Sequence, residues 1–153
     1  MFHLRQMSPP YFALLGAVLL TQLGCSSHPS VAPVSGKVTL DGEPLRFGSV
    51  MFQAVSGGQP ATGKIQEDGT FSLSTFGDDD GAIVGKHRVR VVCYSSQDPA
   101  VAAAAGPAGD SLGRLLIPEK YTSLGASGLT AEVPADGLSG HEIALESGKA
   151  GGR

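Results

Sequence analysis

The segment Val34-Ser-Gly-Lys-Val-Thr-Leu-Asp-Gly-Glu-Pro-Leu45 alternates apolar or small residues with polar ones as far as Leu40, and the alternation stops at Asp41-Gly42. A period of two residues is typical of a β-strand that buries one face. Asp-Gly supplies the positive-φ positions that a tight turn needs. The segment therefore predicts a half-buried strand, residues 34–40, that ends in a tight turn.

Six further segments alternate in the same way. The seven predicted strands are residues 34–40, 48–54, 61–66, 70–75, 86–94, 127–133 and 141–145. Asp68-Gly69 separates the third strand from the fourth, which predicts a hairpin between them. In the fifth strand we expect Val89, Val91 and Cys93 to face the core.

Residues 95–113 interrupt the alternation with a stretch rich in Ala and Gly. The alanines favour a short helix, but Gly106 and Pro107 would end it, and an isolated helix of that length is marginal. We therefore predict a flexible insertion, which is a natural place for a recognition loop. Seven short strands separated by turns, with no convincing helix, predict an all-β fold, an antiparallel β-sandwich.

The composition fits a single β-domain. The chain has 153 residues, with 22 Gly and 10 Pro and no repeat period, which favours many turns over long helices. Its formal net charge is −3 and becomes −4 without residues 1–24, because Arg5 is the only charged residue among them. Such a modest negative charge argues against nucleic-acid binding, which needs clustered Lys and Arg.

An apolar run precedes Cys25. Residues 11–20 have the length of the apolar part of a secretion signal and are too few to span a bilayer. Next to them the chain resembles the lipobox of bacterial lipoproteins: Gly24 and Cys25 match it, whereas Gln22 and Leu23 depart from it. The resemblance implies that Cys25 is the lipidated first residue of the mature protein. The alternative is an ordinary signal peptide that happens to contain a cysteine.

This interpretation divides the chain into four parts. Residues 1–24 are the signal peptide, residues 25–33 the lipidated cysteine and a polar tether, residues 34–146 the domain, and residues 147–153 a disordered tail. The implied location is the bacterial cell envelope, with the membrane as partner through the lipid anchor. No aspartate follows Cys25, so the resemblance to lipoprotein sorting rules favours the outer membrane. A periplasmic or secreted protein is the alternative.

The second cysteine, Cys93, has two interpretations. If Cys25 is acylated, Cys93 is the only remaining thiol, and we expect it to be buried and inert. If lipidation fails, a Cys25–Cys93 disulfide becomes possible. A catalytic thiol is less favoured, because Cys93 alternates with apolar residues that face the core.

Four side chains form a candidate partner face. Lys86, Arg88, Arg90 and Tyr94 lie on the outward side of the fifth predicted strand. Such a set is usually a solvated strand surface. It is nevertheless the first place where we would look for contact with an envelope protein or a glycan.

Other titratable groups are candidates for metal binding. His87 and His141 fall in phase with the inward residues of their strands, and together with Glu142 they would bind a metal only if the fold brings them together. Asp78-Asp79-Asp80 offers oxygen ligands for calcium but lacks the spacing of a calcium loop. We therefore expect no metal site, no cofactor and no catalytic residue.

The opening of the domain follows an extended motif. Residues 34–45 and Gly48-Ser-Val-Met-Phe52 have the form G-x-V-x-x-x-G-x-P-L-x-x-x-x-V, and Asp68-Gly-Thr-Phe71 continues it. On these residues the domain resembles carboxypeptidase regulatory-like and transthyretin-like domains. Ile117-Pro-Glu-Lys-Tyr121 with residues 127–133 resembles the close of small bacterial lipoproteins built on this domain. The resemblance implies a β-sandwich but no particular activity.

One relative of this fold is an enzyme, the transthyretin-like hydroxyisourate hydrolase. That enzyme relies on histidines, an arginine and a C-terminal Tyr-Arg-Gly-Ser motif, whereas this chain reads Ser147-Gly-Lys-Ala-Gly-Gly-Arg153 at its end. Because this motif does not occur, our hypothesis is a non-enzymatic binding or structural module in the envelope. The alternatives are a hydrolase of this type and a calcium-dependent adhesion module.

Overall fold

The computed structural model describes residues 29–105 and 113–148, and these are predominantly β-sheet. A short α-helix, α1 (Pro99–Ala105), and 3-10 turns at Ser95–Gln97 and Glu119–Thr122 accompany the strands. The ten strands of the described residues are β1 (Val31–Ala32), β2 (Val34–Leu40), β3 (Glu43–Pro44), β4 (Ser49–Ala54), β5 (Ala61–Lys64), β6 (Thr70–Ser72), β7 (Ala82–Ile83), β8 (Gly85–Val92), β9 (Leu129–Val133) and β10 (Leu138–Leu145). Each of the seven predicted segments overlaps one of them, and the other three have two residues each.

The strands form three sheets. One four-stranded sheet has the order β5-β4-β8-β9 and is antiparallel throughout. In the other, β2 pairs with β10, β3 and β6, and a small third sheet joins β1 to β7. The prediction of purely antiparallel pairing is wrong for β10, which runs parallel to β2. The physical reason is that β9 lies in the opposite sheet, so β10 does not form a hairpin with it and enters the second sheet by a crossover.

The two four-stranded sheets share one hydrophobic core. Their inward side chains form most of a single cluster in which seven residues have no solvent exposure: Val38, Val50, Phe52, Leu73, Ala82, Val89 and Val91. Buried and exposed residues alternate along β4, β5 and β8, as the period of two predicts. Burial of these aliphatic and aromatic side chains is the main favourable term in folding.

The predicted hairpin around Asp68-Gly69 forms only at its tip. The N–H of Gln66 donates to the carbonyl of Thr70 at 2.8 Å, and Gly69 has a φ of 85°. Beyond the tip, however, β5 pairs with β4 and β6 pairs with β2, so the two segments meet only at an isolated bridge between Thr62 and Ser74. The chain therefore passes from one sheet to the other here, and the simple hairpin is wrong.

The prediction that the chain has no helix is also wrong, because Pro99–Ala105 forms the helix α1. Asp98 precedes this helix, and its carboxylate accepts the N–H of Ala100 at 2.9 Å. A side-chain acceptor before the first turn and proline at the first helical position are both start signals. Residues 106–112, in the rest of the predicted insertion, lie outside the described residues.

Several sequence-based expectations fall outside the described ranges. The signal peptide, Cys25 and the first part of the tether belong to residues 1–28, and most of the predicted tail belongs to residues 149–153. Among residues 29–105 and 113–148, no helix has both the length and the apolar character that crossing a bilayer requires.

Candidate functional site

The predicted partner face is centred on β8. Lys86 and Arg88 are exposed on the outer side of the sheet, and Arg90 is half-buried beside them, with its guanidinium donating to the carbonyl of Thr122 at 3.5 Å. Tyr94 lies beyond the end of β8, where its backbone bridges to another segment. The structure thus places three cations on one strand face and puts Tyr94 at its margin.

Within the described residues, the three cations of β8 form no ion pair. In the part of the chain that the structure describes, the one salt bridge joins Arg46 to Glu67 at 2.9 Å on the surface. Glu132 on β9 is opposite Lys86 in register, but the two do not come within salt-bridge distance. The positive charge of this face is therefore directed to solvent, where it attracts anionic groups.

The two histidines that the sequence singled out converge on Phe52. The ring centroid of His87 lies 5.8 Å from that of Phe52, and the ring centroid of His141 lies 6.0 Å from it in an edge-on arrangement. His87 is 2% exposed, as predicted for an inward residue, whereas His141 is half-buried. The parallel pairing of β10 with β2 brings His141 to this position, because it sets His141 opposite Gly36.

The surroundings of both imidazoles favour the neutral form. Burial lowers the pKa of His87, and this effect outweighs the hydrogen bond between Nδ1 and the carbonyl of Gly85 at 3.0 Å, which acts in the opposite direction. Burial also lowers the pKa of His141. A neutral imidazole offers one N–H donor and one acceptor, so each ring suits hydrogen bonding or proton exchange with a ligand.

A cavity of about 510 Å³ opens beside this pair, at the end of the sheet. Its lining includes both histidines, the cations Lys86 and Arg88, and Glu132. The exposed Glu142 follows His141 directly and so points to the opposite face of β10. No group of three or more potential metal ligands occurs among the described residues, so the His–His–Glu set is not brought together there.

The burial of the histidines predicts a pH dependence of stability. Because burial lowers the pKa of His87 and of His141, the unfolded chain binds more protons than the folded chain just below about pH 6.5. Stability is then full above this pH and decreases as the pH falls through the folded-state pKa values. Each histidine adds a slope of at most about 1.4 kcal/mol per pH unit.

Urea denaturation between pH 5 and pH 7.5 measures this slope. We expect the free energy of unfolding to change less steeply with pH in His87→Gln and in His141→Gln than in the wild type. The comparison is between these slopes and not between the absolute stabilities of the three proteins. An identical slope in all three proteins would contradict the assignment of these two side chains as the groups that titrate.

The acidic loop is organised around Asp80. One carboxylate oxygen of Asp80 accepts the N–H of Thr75 at 2.6 Å, and the other accepts the N–H groups of Phe76 and Gly77, both at 2.9 Å. The hydrogen bond from Thr75 is the main reason why the pKa of Asp80 is lowered. Three donors already occupy this carboxylate, so its geometry is that of a loop cap, and a calcium ion would have to displace them.

Removing the charge of Asp80 is expected to loosen this loop. Asp80→Asn places an NH₂ group among N–H donors, which we expect to destabilise the fold by about 1–2 kcal/mol in thermal or urea denaturation. The exposed neighbour Asp78 is the matched control, and Asp78→Asn should change stability by less than about 0.5 kcal/mol. Equal effects of the two substitutions would contradict the capping role.

Cys93 faces the core, as the alternation predicts. It is a free cysteine that is 1% exposed. Burial raises its pKa to about 11, and the negative charge of Asp98 adds to this effect. A thiol with this pKa is almost entirely protonated at neutral pH and is a poor nucleophile. Its possible partner in the alternative disulfide, Cys25, lies outside the described residues.

The burial of Cys93 predicts its reactivity. In a Cys25→Ser variant, we expect Ellman's reagent at pH 8 to react with no thiol in the folded protein and with one thiol per chain in denaturant. Rapid reaction of the folded protein would contradict the burial, provided that circular dichroism shows that the variant is folded.

The sequence interpretation missed Phe52 as the side chain that both histidines contact, and it missed the cavity beside them. Phe52 shares its alternating phase with Val50 and Ala54, but no local pattern indicates which residues of other strands will meet it. The only available signal was that His87 and His141 share the inward phase, each near the start of its predicted strand.

Comparison of the chain with protein-family models, with curated proteins and with solved structures found no match.

Proposed function

We propose that this chain is a lipid-anchored protein of the bacterial cell envelope whose β-domain is a non-enzymatic binding or structural module. The observation that carries the proposal is the position of Cys25, directly after an apolar run of signal-peptide length and Gly24. The described residues begin at Pro29, four residues after this cysteine, and β1 starts at Val31. A folded domain so close to Cys25 is consistent with a short tether.

Membrane fractionation of a bacterial expression host tests the anchor. Wild-type protein should sediment with the membranes and resist extraction with high salt or carbonate, because two or more acyl chains give stable attachment. Cys25→Ser should appear in the soluble fraction. Cys93→Ala is the matched control for the loss of a cysteine, and it should stay with the membranes. Wild-type protein in the soluble fraction would overturn the proposal.

Within this proposal the domain is a β-sandwich of the carboxypeptidase regulatory-like or transthyretin-like type, built on seven principal strands that pair antiparallel except for β2 with β10. Its support is the motif resemblance together with two four-stranded sheets whose inward side chains share one core. The outer membrane is the proposed location, since Ser26 and Ser27 follow the cysteine where an aspartate would favour retention at the inner membrane.

The binding surface that the geometry favours is the cationic face of β8, with Lys86, Arg88 and Arg90. Its charges are solvent-directed, and Lys86 and Arg88 also line the cavity beside the histidines. Such a face suits an anionic partner, which in the envelope means an acidic glycan or an acidic protein surface. Here Tyr94 is a marginal contact and not part of the centre.

Binding to alginate, a soluble polymer of uronic acids, tests this surface. We expect salt-sensitive binding, and we expect Arg88→Glu to weaken it by about tenfold, which corresponds to about 1.4 kcal/mol. The matched control is Lys37→Glu, a charge reversal on β2 in the other sheet, which should leave binding nearly unchanged. Equal loss in both variants would indicate a nonspecific charge effect and would contradict a role for this face.

A hydrolase is the second candidate, and one observation favours it. His87, His141 and Arg88 line a single cavity, and an arginine and histidines are the residue types that the related hydroxyisourate hydrolase uses. Adding hydroxyisourate to the purified protein and following its absorbance tests this candidate. Turnover that is lost in His141→Gln would favour the hydrolase over the binding module. We expect no turnover above the uncatalysed rate.

A further inference from the structure

The chain enters the domain at one defined end. The N–H of Val84 donates to the carbonyl of Ser30 at 2.9 Å, and β1 pairs with β7 immediately before β8 begins. The incoming chain is thus fixed beside the first residues of β8. From there β8 runs to Val92 at the other end of the sheet.

Of the three large apolar side chains that are exposed among residues 29–105 and 113–148, two surround this entry point. Val55 is 61% exposed, and its N–H donates to the carbonyl of Lys86 at 2.8 Å. Phe76 is 41% exposed and follows Thr75, whose hydroxyl donates at 2.7 Å to the carbonyl of Gly81, next to β7. We call Val55, Phe76 and Lys86 the tether face.

The loops that carry these side chains are joined to each other and to the entry strand. The side chain of Gln59 donates to the carbonyl of Thr75, which links the loop after Val55 to the loop before Phe76. The backbone of Gly81 packs directly against the carbonyl of Ala32 in β1. The tether face is therefore built on the same end of the sheets as the incoming chain.

The length of chain before the entry point limits how far this end can be from the lipid. Pro29 is four residue steps after Cys25, and even a fully extended chain covers at most about 14 Å in four steps. This reach is shorter than a small domain is wide, so the lipids on Cys25 would hold the entry end near the bilayer.

We propose that the tether face rests on the lipid surface, with Val55 and Phe76 in the interfacial region of the bilayer and Lys86 at the level of the phosphates, which leaves Arg88 and Arg90, further along β8, for the partner surface proposed above. This inference depends on the lipid anchor proposed above. Apolar side chains exposed next to a lipid anchor lose contact with water when they enter the interface, which is favourable. Singly exposed apolar residues are ordinary on soluble proteins. It is the position of Val55 and Phe76 around the entry point that indicates a contact with lipid.

The charges around the tether face indicate which force dominates the contact. Lys86 and Arg88 are positive, whereas the exposed carboxylates of Asp78, Asp79 and Glu132 are negative. These charges nearly cancel, so the apolar side chains and not net charge drive the contact. The contact should therefore form on zwitterionic lipid and depend little on salt.

Fluorescence quenching in vesicles tests the orientation. Full-length acylated protein is reconstituted in phosphatidylcholine vesicles with an environment-sensitive fluorophore on a new cysteine, at Val55→Cys or at Val101→Cys. Val101, in α1, is the third exposed large apolar residue and follows the other end of β8. Cys93 is buried and Cys25 is consumed by acylation, so the label reacts at the new site.

Vesicle flotation and quenching by brominated lipid are then read from the same sample. We expect the protein to float, the probe at residue 55 to be quenched and shifted to the blue, and the probe at residue 101 to be unaffected. Flotation with both probes unquenched, or with residue 101 quenched instead, would overturn the orientation but leave the anchor intact. Failure to float would overturn both the anchor and the orientation that depends on it.

Discussion

Phe52→Ala is expected to lower the free energy of unfolding by about 3–5 kcal/mol, a large part of the stability of a domain of this size. Phe52 has no solvent exposure, and its ring packs against Phe71 at a centroid distance of 6.3 Å. It also contacts His87 and His141, so the substitution removes a side chain that joins the two sheets. Urea denaturation followed by circular dichroism measures the effect.

Phe52→Leu is the matched control for this substitution. Leucine keeps most of the apolar volume, so we expect a loss near the lower end of the range for core substitutions, about 1–1.5 kcal/mol. The alanine variant should also reduce the pH dependence between pH 5 and pH 7, because water that enters the cavity relieves the desolvation of His87. Equal stability of the alanine variant and the wild type would contradict the position of Phe52 in the core.

Gly36→Ala is expected to destabilise the protein by about 2–3 kcal/mol, although it adds only one methyl group. Gly36 lies in β2 between β10 and β6, opposite His141 on one side and Phe71 on the other. A Cβ at this position would overlap the carbonyl oxygen of His141 and lie 2.7 Å from the ring of Phe71. Because a backbone atom blocks the methyl group, β10 must shift to accommodate it.

Ser35→Ala is the matched control, because it also replaces one small residue of β2 with alanine. Ser35 is exposed on the outer face of β2, so this substitution should change stability by less than about 0.5 kcal/mol. The expected readout is the urea midpoint of each variant. A midpoint for Gly36→Ala equal to that of Ser35→Ala would show that β10 does not approach β2 as closely as described.

Local patterns in the sequence were sufficient to predict the strands and their inward faces. The alternation over residues 34–40 corresponds to β2, and Val89, Val91 and Cys93 are all buried as expected. The turn at Asp41-Gly42 also forms, with φ angles of 52° and 87°. These features depend on residues that are close together in the sequence, so local patterns in a single sequence are sufficient to predict them.

The pairing of the strands depends on distant residues, and here the predictions failed. Nothing near β10 specifies that it pairs in parallel with β2, about 100 residues earlier in the chain. The hairpin expected at Asp68-Gly69 failed because β5 and β6 each have a better partner elsewhere. Gly36 and Gly63 were local signals of a close approach, since glycine at an inward strand position often marks a crowded backbone.

The candidate site was predicted as separate residues but not as a site. The cationic face of β8 follows from the alternation of Lys86, Arg88 and Arg90, and the structure places all three on one surface. The convergence of His87 and His141 on Phe52 required the parallel pairing and could not be predicted without it. The capping role of Asp80 was missed because the acidic run was judged by its charge and not by its hydrogen-bond acceptors.

Intact mass spectrometry of the protein isolated from bacterial membranes tests the lipid anchor most directly, with Cys25→Ser as the comparison. The proposal predicts a mature chain that begins at Cys25 and carries the added mass of a diacylglycerol group on its thiol. The α-amino group of Cys25 carries a further acyl chain or is free. The serine variant should lack this addition. An unmodified chain that begins at another residue would contradict the anchor, and it would return the Cys25–Cys93 disulfide and a periplasmic or secreted location to consideration.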